Sequence, residues 1–183
     1  PMMRLVQGDV GSGKTVVGAL AAAMALDSSF QVAFMAPTTL LAEQHLLSFK
    51  SFFGAKSDKI ALLTGSTSTN TRKKILADIA DMKINLIIGT HALFQKGVDF
   101  PNLALIIIDE QHRFGVNQRL ALRNKNNSQD SAPHQLTLTA TPIPRTLSMS
   151  VYANMDISVI DELPPGRKPI KTSCLPLSDK AKL

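Results

Sequence analysis

The sequence contains no tryptophan and only one tyrosine, Tyr152. Aromatic platforms of the kind on which single-strand binders stack bases are therefore not expected. There is one cysteine, Cys174, so no disulfide can form within the chain. That suits a reducing compartment, and Cys174 reads as a small apolar filler. Long hydrophobic runs are missing too. The longest, Val16–Leu26, is broken by Gly18 and falls short of the roughly 20 residues that a bilayer span needs. No His/Cys spacing suggests zinc, and there is no signal-peptide pattern, internal repeat or low-complexity segment. A cytoplasmic protein is expected. The chain runs from Pro1 almost at once into an apolar strand and a glycine-rich loop, which leads us to expect a piece of a longer protein.

What is present points to a folded domain. Of 183 residues, 44% are hydrophobic, enough to build a core. Twenty Lys and Arg against 14 Asp and Glu leave a formal charge of +6. That balance suits a polyanionic partner without specifying one.

Short apolar runs alternate with helical patterns. Strands are expected at Arg4–Gln7, Gln31–Ala36, Lys59–Leu63, Leu86–Gly89, Leu103–Asp109, Gln135–Thr139 and Ile157–Ile160. Continuous runs such as Leu105-Ile106-Ile107-Ile108 are typical of parallel strands covered on both faces. Helices are expected near Lys14–Leu26, Thr39–Phe53, Thr69–Ala80 and Gln118–Lys125; in the third, Ile75, Leu76 and Ile79 share a face. The alternation implies a doubly wound α/β fold with a mostly parallel sheet and helices on both faces. Such sheets bind ligands beyond the carboxyl ends of their strands. The polar stretch 125–133 reads as a loop. Glu162-Leu163-Pro164-Pro165-Gly166-Arg167 breaks regular structure. A domain over 1–161, a linker over 162–169 and the start of a second domain over 170–183 are expected.

Gly8-Asp9-Val10-Gly11-Ser12-Gly13-Lys14-Thr15 fits G-x-x-x-x-G-K-[ST], after a strand and opening a helix. Glycines there let backbone N–H groups curl around phosphate oxygens, and the helix N-terminus adds partial positive charge. Lys14 would reach the β- and γ-phosphates, and the Thr15 hydroxyl would bind Mg²⁺. Asp109-Glu110 closes the apolar run Leu103–Ile108. Asp109 is the candidate second Mg²⁺ ligand, and Glu110 the candidate group that orients or deprotonates water.

These strings carry a resemblance. Asp109-Glu110-Gln111-His112 resembles the DExH box of superfamily-two helicases, and Thr139-Ala140-Thr141-Pro142 their third motif. Ala36-Pro37-Thr38 with Leu41-Ala42-Glu43-Gln44 resembles motif Ia. Thr64-Gly65-Ser66 and Gly89-Thr90-His91 resemble the next two DNA-contact motifs. Each string is short; their order and spacing along one chain are the signal. The extensions Arg113-Phe114-Gly115-Val116 and Ile143-Pro144-Arg145-Thr146-Leu147 resemble RecG-type helicases and the transcription-repair coupling factor. Asp161-Glu162-Leu163-Pro164-Pro165-Gly166-Arg167 favours the RecG type.

The resemblance implies a RecA-like first motor domain using ATP and Mg²⁺ on branched DNA such as forks and Holliday junctions. It implies catalytic roles for Lys14, Asp109, Glu110 and His112. It implies DNA-backbone contacts at Pro37, Thr38, Gly65, Thr90 and His91, and coupling roles for Gln111, Thr139, Thr141 and Arg145. Ordinary turn chemistry remains open for Thr64-Gly65 and Gly89-Thr90, and a surface salt bridge for Arg145. Arg72-Lys73-Lys74 reads as a solvated helix face, and His45 and His134 as structural or surface residues. The family's adenine-reading glutamine motif, second motor domain with its arginine finger, and wedge domain are not in the sequence, so half of an active site is expected. The alternatives are the transcription-repair motor, a small-molecule P-loop kinase, and a passive nucleic-acid module.

Overall fold

A computed structural model describes residues 1–95, 97–110, 132–141 and 155–162. Seven strands are present among them: β1 (Met3–Gly8), β2 (Gln31–Met35), β3 (Ile60–Leu63), β4 (Leu86–Gly89), β5 (Leu103–Asp109), β6 (His134–Thr139) and β7 (Asp156–Ile160). Three helices join them: α1 (Lys14–Asp27), α2 (Thr39–Phe53) and α3 (Thr69–Ala80). Each expected strand forms within a residue or two of its expected limits, and so do the first three helices. The helix expected at Gln118–Lys125, Arg113 to Val116, the 163–169 part of the linker and the segment 170–183 lie outside the described residues.

The strands form one sheet in the order β3-β4-β2-β5-β6-β1-β7, and every described pairing is parallel. The alternation of side chains along each strand splits the core into two layers. Val32 and Phe34 of β2 and Leu105 and Ile107 of β5 join Ala19 and Ala22 of α1 and Ala42 and Phe49 of α2 on one face. Ala33, Met35, Ile106 and Ile108 pack on the other, with Ile79 of α3 buried and Ile75 and Leu76 partly buried beside it. This is why Val32–Met35 of β2 and Leu103–Ile108 of β5 are apolar without alternation: both of their faces are covered. The pairing of β2 with β5 shifts register between Gln31 and Val32. The Gln31 amide bridges the irregularity, donating to Ile79 O and accepting from Asn102 N–H.

Local signals set the helix starts. Thr38 caps α2 by accepting from Leu41 N–H, and Ser68 caps α3 by accepting from Thr71 N–H. At the end of β4 the chain passes so close to β3 that a Cβ on Gly89 would collide with the Leu63 carbonyl oxygen and with Leu93. Gly89→Ala should therefore destabilise the domain by about 1–3 kcal/mol, the range for an overpacked core. Denaturant unfolding measures it; an unchanged midpoint would show that β4 can shift without cost.

Candidate nucleotide and nucleic-acid site

Parallel pairing sends the carboxyl ends of all seven strands to one edge of the sheet. Three neighbours, β5, β6 and β1, deliver Asp109-Glu110, Thr139–Thr141 and the loop 8–15 there side by side. Three more, β3, β4 and β2, deliver Gly65, Thr90-His91 and Pro37-Thr38, and β7 lies at the far side beyond β1. The expected nucleotide residues and the expected DNA-contact residues thus occupy adjoining stretches of one edge.

The loop 8–15 is built for an anion. Gly11 and Gly13 take φ of 83° and 91°, the left-handed region that glycine enters without strain. Gly13 stands at the N-cap of α1 and gives no side-chain cap, and the first turn carries no acid. Val16 and Val17 N–H donate to Gly13 O; the Lys14 and Thr15 amides ahead of them are left for another acceptor. Ser12 packs beneath Gly8, close enough that a Cβ there would strike its hydroxyl. The Ser12 Oγ itself is buried without a partner. Lys14 Nζ lies across the loop, 2.8 Å from Gly8 O and 2.7 Å from Asp9 O. A half-buried ammonium held only by neutral carbonyls is a poor end state and a ready ligand for phosphate oxygens. Val10 is 72% exposed at the tip, while Asp9 Oδ1 accepts from Val10 N–H and stiffens the turn. These features fit a polyphosphate. Thr15 follows Lys14 into the first turn of α1.

At the end of β5, Asp109 continues the ladder with β6, and Glu110 turns out of it at φ 52°. That conformation is unusual for a residue with a side chain. Two bonds to β6 hold it: Glu110 N–H donates to Leu138 O at 2.9 Å, and Ala140 N–H donates to Glu110 Oε1 at 3.1 Å. The next turn is closed by Thr141 N–H donating to Thr139 Oγ1 at 3.2 Å. Glu110 and the Thr139–Thr141 turn, set apart in sequence, are one hydrogen-bonded unit. Gln111, His112 and Arg145 lie outside the described residues.

On the other half of the edge, His91 is exposed and its ring stands beside Gly65, 3.8 Å from where a Cβ would sit. Thr90 is buried with its hydroxyl unpartnered, and Thr64 bonds Ser66 and Thr67 within its own turn. His45 is not the surface residue that one reading allowed. Its Nε2 lies 2.7 Å from Asp109 Oδ2, and both side chains are nearly buried. A signal for it existed in the sequence: Ala42, His45 and Phe49 are spaced as one helix face, so a histidine stood in an apolar stripe. His134 is exposed, and its Nδ1 accepts from Met2 N–H.

The DEAD/DEAH box helicase profile matches residues 2–150. The chain belongs to that helicase family. The match sets aside the small-molecule kinase, and a helicase domain of this family implies the use of ATP. The ATP-dependent DNA helicase RecG of Pasteurella multocida is 58% identical over 172 residues, 94% of this chain and 25% of that protein. RecG of Escherichia coli K12 is 57% identical over 176 residues, again 25% of its length. The chain therefore spans about a quarter of these relatives. A RecG structure bound to a three-way DNA junction matches with TM-score 0.81 and 41% identity, over 100% of this chain and 24% of that one. The helicase domain of Pyrococcus furiosus Hef shares the fold at TM-score 0.66 and 24% identity, over 87% of this chain and 35% of that one.

Lys14 is the one basic residue in the loop 8–15. Lys14→Ala should weaken nucleoside triphosphate binding roughly 10- to 100-fold, equivalent to the ~1.5–3 kcal/mol of a hydrogen bond to a charged group. Circular dichroism should stay unchanged. Calorimetric titration reads the loss, and undiminished affinity would remove the loop from phosphate binding.

Proposed function

We propose that this chain is the first motor domain of an ATP-dependent, RecG-type DNA helicase that remodels branched DNA through contacts to backbone phosphates. The observation that carries this is the order of the strand ends: nucleotide residues after β5, β6 and β1, and the Gly65, Thr90-His91 and Pro37-Thr38 turns after β3, β4 and β2, along one edge. The similarity to RecG proteins, one of them solved on a three-way DNA junction, supports the substrate class. In this reading the domain covers 1–161, a linker follows over 162–169, and a second motor domain begins at 170. That domain and a wedge domain belong to the same parent chain. Among the described residues no helix is long and apolar enough to cross a membrane, and a helicase acting on chromosomal DNA would work in the cytoplasm.

The amides of residues 8–15 and Lys14 cradle the triphosphate. Thr15 and Asp109 hold Mg²⁺, which would neutralise charge on the β- and γ-phosphates. No cluster of three or more His, Cys, Asp or Glu capable of holding a metal is present among the described residues. That fits a cation carried largely by phosphate oxygens and water with one or two protein ligands. Glu110 orients the attacking water and takes its proton. Its bond from Ala140 N–H makes the Thr139–Thr141 turn sensitive to what Glu110 faces, and Gln111, His112 and Arg145 carry that state toward the partner domain. Of the residues proposed to meet DNA phosphates, Thr38, Gly65 and His91 are exposed and Pro37 is partly buried. Thr90 is buried with its N–H donating to Leu63 O and would act by holding the turn that presents His91. Such contacts position a strand without reading it.

Glu110→Gln retains shape and the Ala140 bond while removing the charge. In the full-length enzyme, ATP and Mg²⁺ should still bind, and steady-state hydrolysis should fall by ~10²-fold or more. Loss of nucleotide binding together with hydrolysis would instead move Glu110 into the metal shell.

The isolated chain should bind nucleotide weakly and show almost no DNA-stimulated hydrolysis, because closure of two domains around ATP is what completes the site. Its DNA binding should be weak and should fall steeply with salt. An ATPase assay on the purified fragment with and without forked DNA decides it; robust DNA-stimulated turnover would end the half-motor reading.

A further inference from the structure

The bond between His45 and Asp109 links the two halves of the site edge. Asp109 stands at the end of β5, on the nucleotide half. His45 belongs to α2, which starts at Thr38 on the other half, roughly 10 Å along the helix axis at 1.5 Å per residue. The pairing of β2 with β5 is the seam where the halves meet; α2 packs over β3 and β4, and the His45 side chain reaches from it past Phe34 of β2 to the end of β5.

The imidazole is an expensive choice for its position. It is 9% exposed, between Ala42 and Phe49 on the buried face of α2, with its ring 4.5 Å from that of Phe34. Leucine would fill such a stripe without desolvating a polar group. What histidine adds is a rigid donor, clamped against Phe34, aimed at one oxygen of Asp109. A carboxylate on a single χ2 torsion spins freely between two-fold-related poses. A donor fixed to Oδ2 at 2.7 Å stops that rotation and leaves Oδ1 to bind.

We propose that His45 is a positioning residue: its Nε2–H donates to Asp109 Oδ2, fixes the carboxylate that serves Mg²⁺, and ties it to the helix that starts directly after the Pro37-Thr38 contact. This rests on the nucleotide and DNA roles proposed above. Groups that orient a metal ligand in this way are commonly worth 10- to 100-fold in metal affinity. Movement of the α2 N-terminus on a DNA strand would be carried by the helix to the carboxylate.

The test uses the full-length helicase. ADP affinity is measured in Mg²⁺ and in EDTA, and ATPase with and without forked DNA. In His45→Leu, affinity in EDTA should match wild type, the gain on adding Mg²⁺ should shrink about tenfold, and the DNA stimulation ratio should fall with it. His45→Gln, long enough to donate to Oδ2, should recover most of both; His45→Asn, one carbon shorter, should not. This pair decides the matter if the leucine variant fails to fold. A Mg²⁺ gain in His45→Asn equal to wild type would overturn the proposal. A reduced gain with an unaltered stimulation ratio would overturn the link to α2. Absence of any Mg²⁺ gain in the wild-type enzyme would instead overturn the proposed nucleotide role of Asp109.

Discussion

All seven described strands run the same way, and that single constraint places the chemistry. Parallel strands need long crossovers, and here helices supply those after β1, β2 and β3. Packing on both faces buries β2 and most of β5, so those strands carry runs of apolar residues without alternation. With the faces closed, polar groups collect where the strands end. Loops that share no sequence neighbourhood, such as 8–15 and 139–141, are brought together because β1 and β6 are hydrogen-bonded neighbours.

Local tensions mark the same edge. The first turn of α1 has neither a side-chain cap nor an acid, and Lys14 is held only by carbonyl groups. Glu110 sits in the left-handed region, a cost of order 1–2 kcal/mol for a residue with a side chain, offset by its two bonds to β6. Ser12 and Thr90 each bury a hydroxyl without a partner. Such departures are uncommon in the interior of a stable domain. Here they border the groups that a nucleotide and a strand of DNA would engage.

The helicase edge is divided rather than uniform. Fixed amides and Lys14 lie on one side, suited to a compact, highly charged ligand. On the other, His91 and the turn at Gly65 present neutral groups side by side, where the proposed DNA contacts fall. The charge of the chain as a whole, +6, does not distinguish these halves; the order of the strands does.

Secondary structure was legible from the residues because each element is announced locally. Apolar runs of three to six mark the strands β3, β4 and β5, Thr38 and Ser68 cap their helices, and the spacing of Gly8, Gly13, Lys14 and Thr15 is a statement about phosphate geometry. The helicase motifs were legible for the same reason: each is a contiguous string at a strand end. Contacts between strings were not. Nothing in the order of residues says that Ala140 donates to Glu110 or that the ring of His91 lies against Gly65. His45 is the clearest case, since the sequence shows only a histidine on an apolar helix face, while its partner lies 64 positions away. Hydrogen-bond partners across that distance are chosen by strand order and helix placement, which arise from the burial of many side chains together rather than from any local signal.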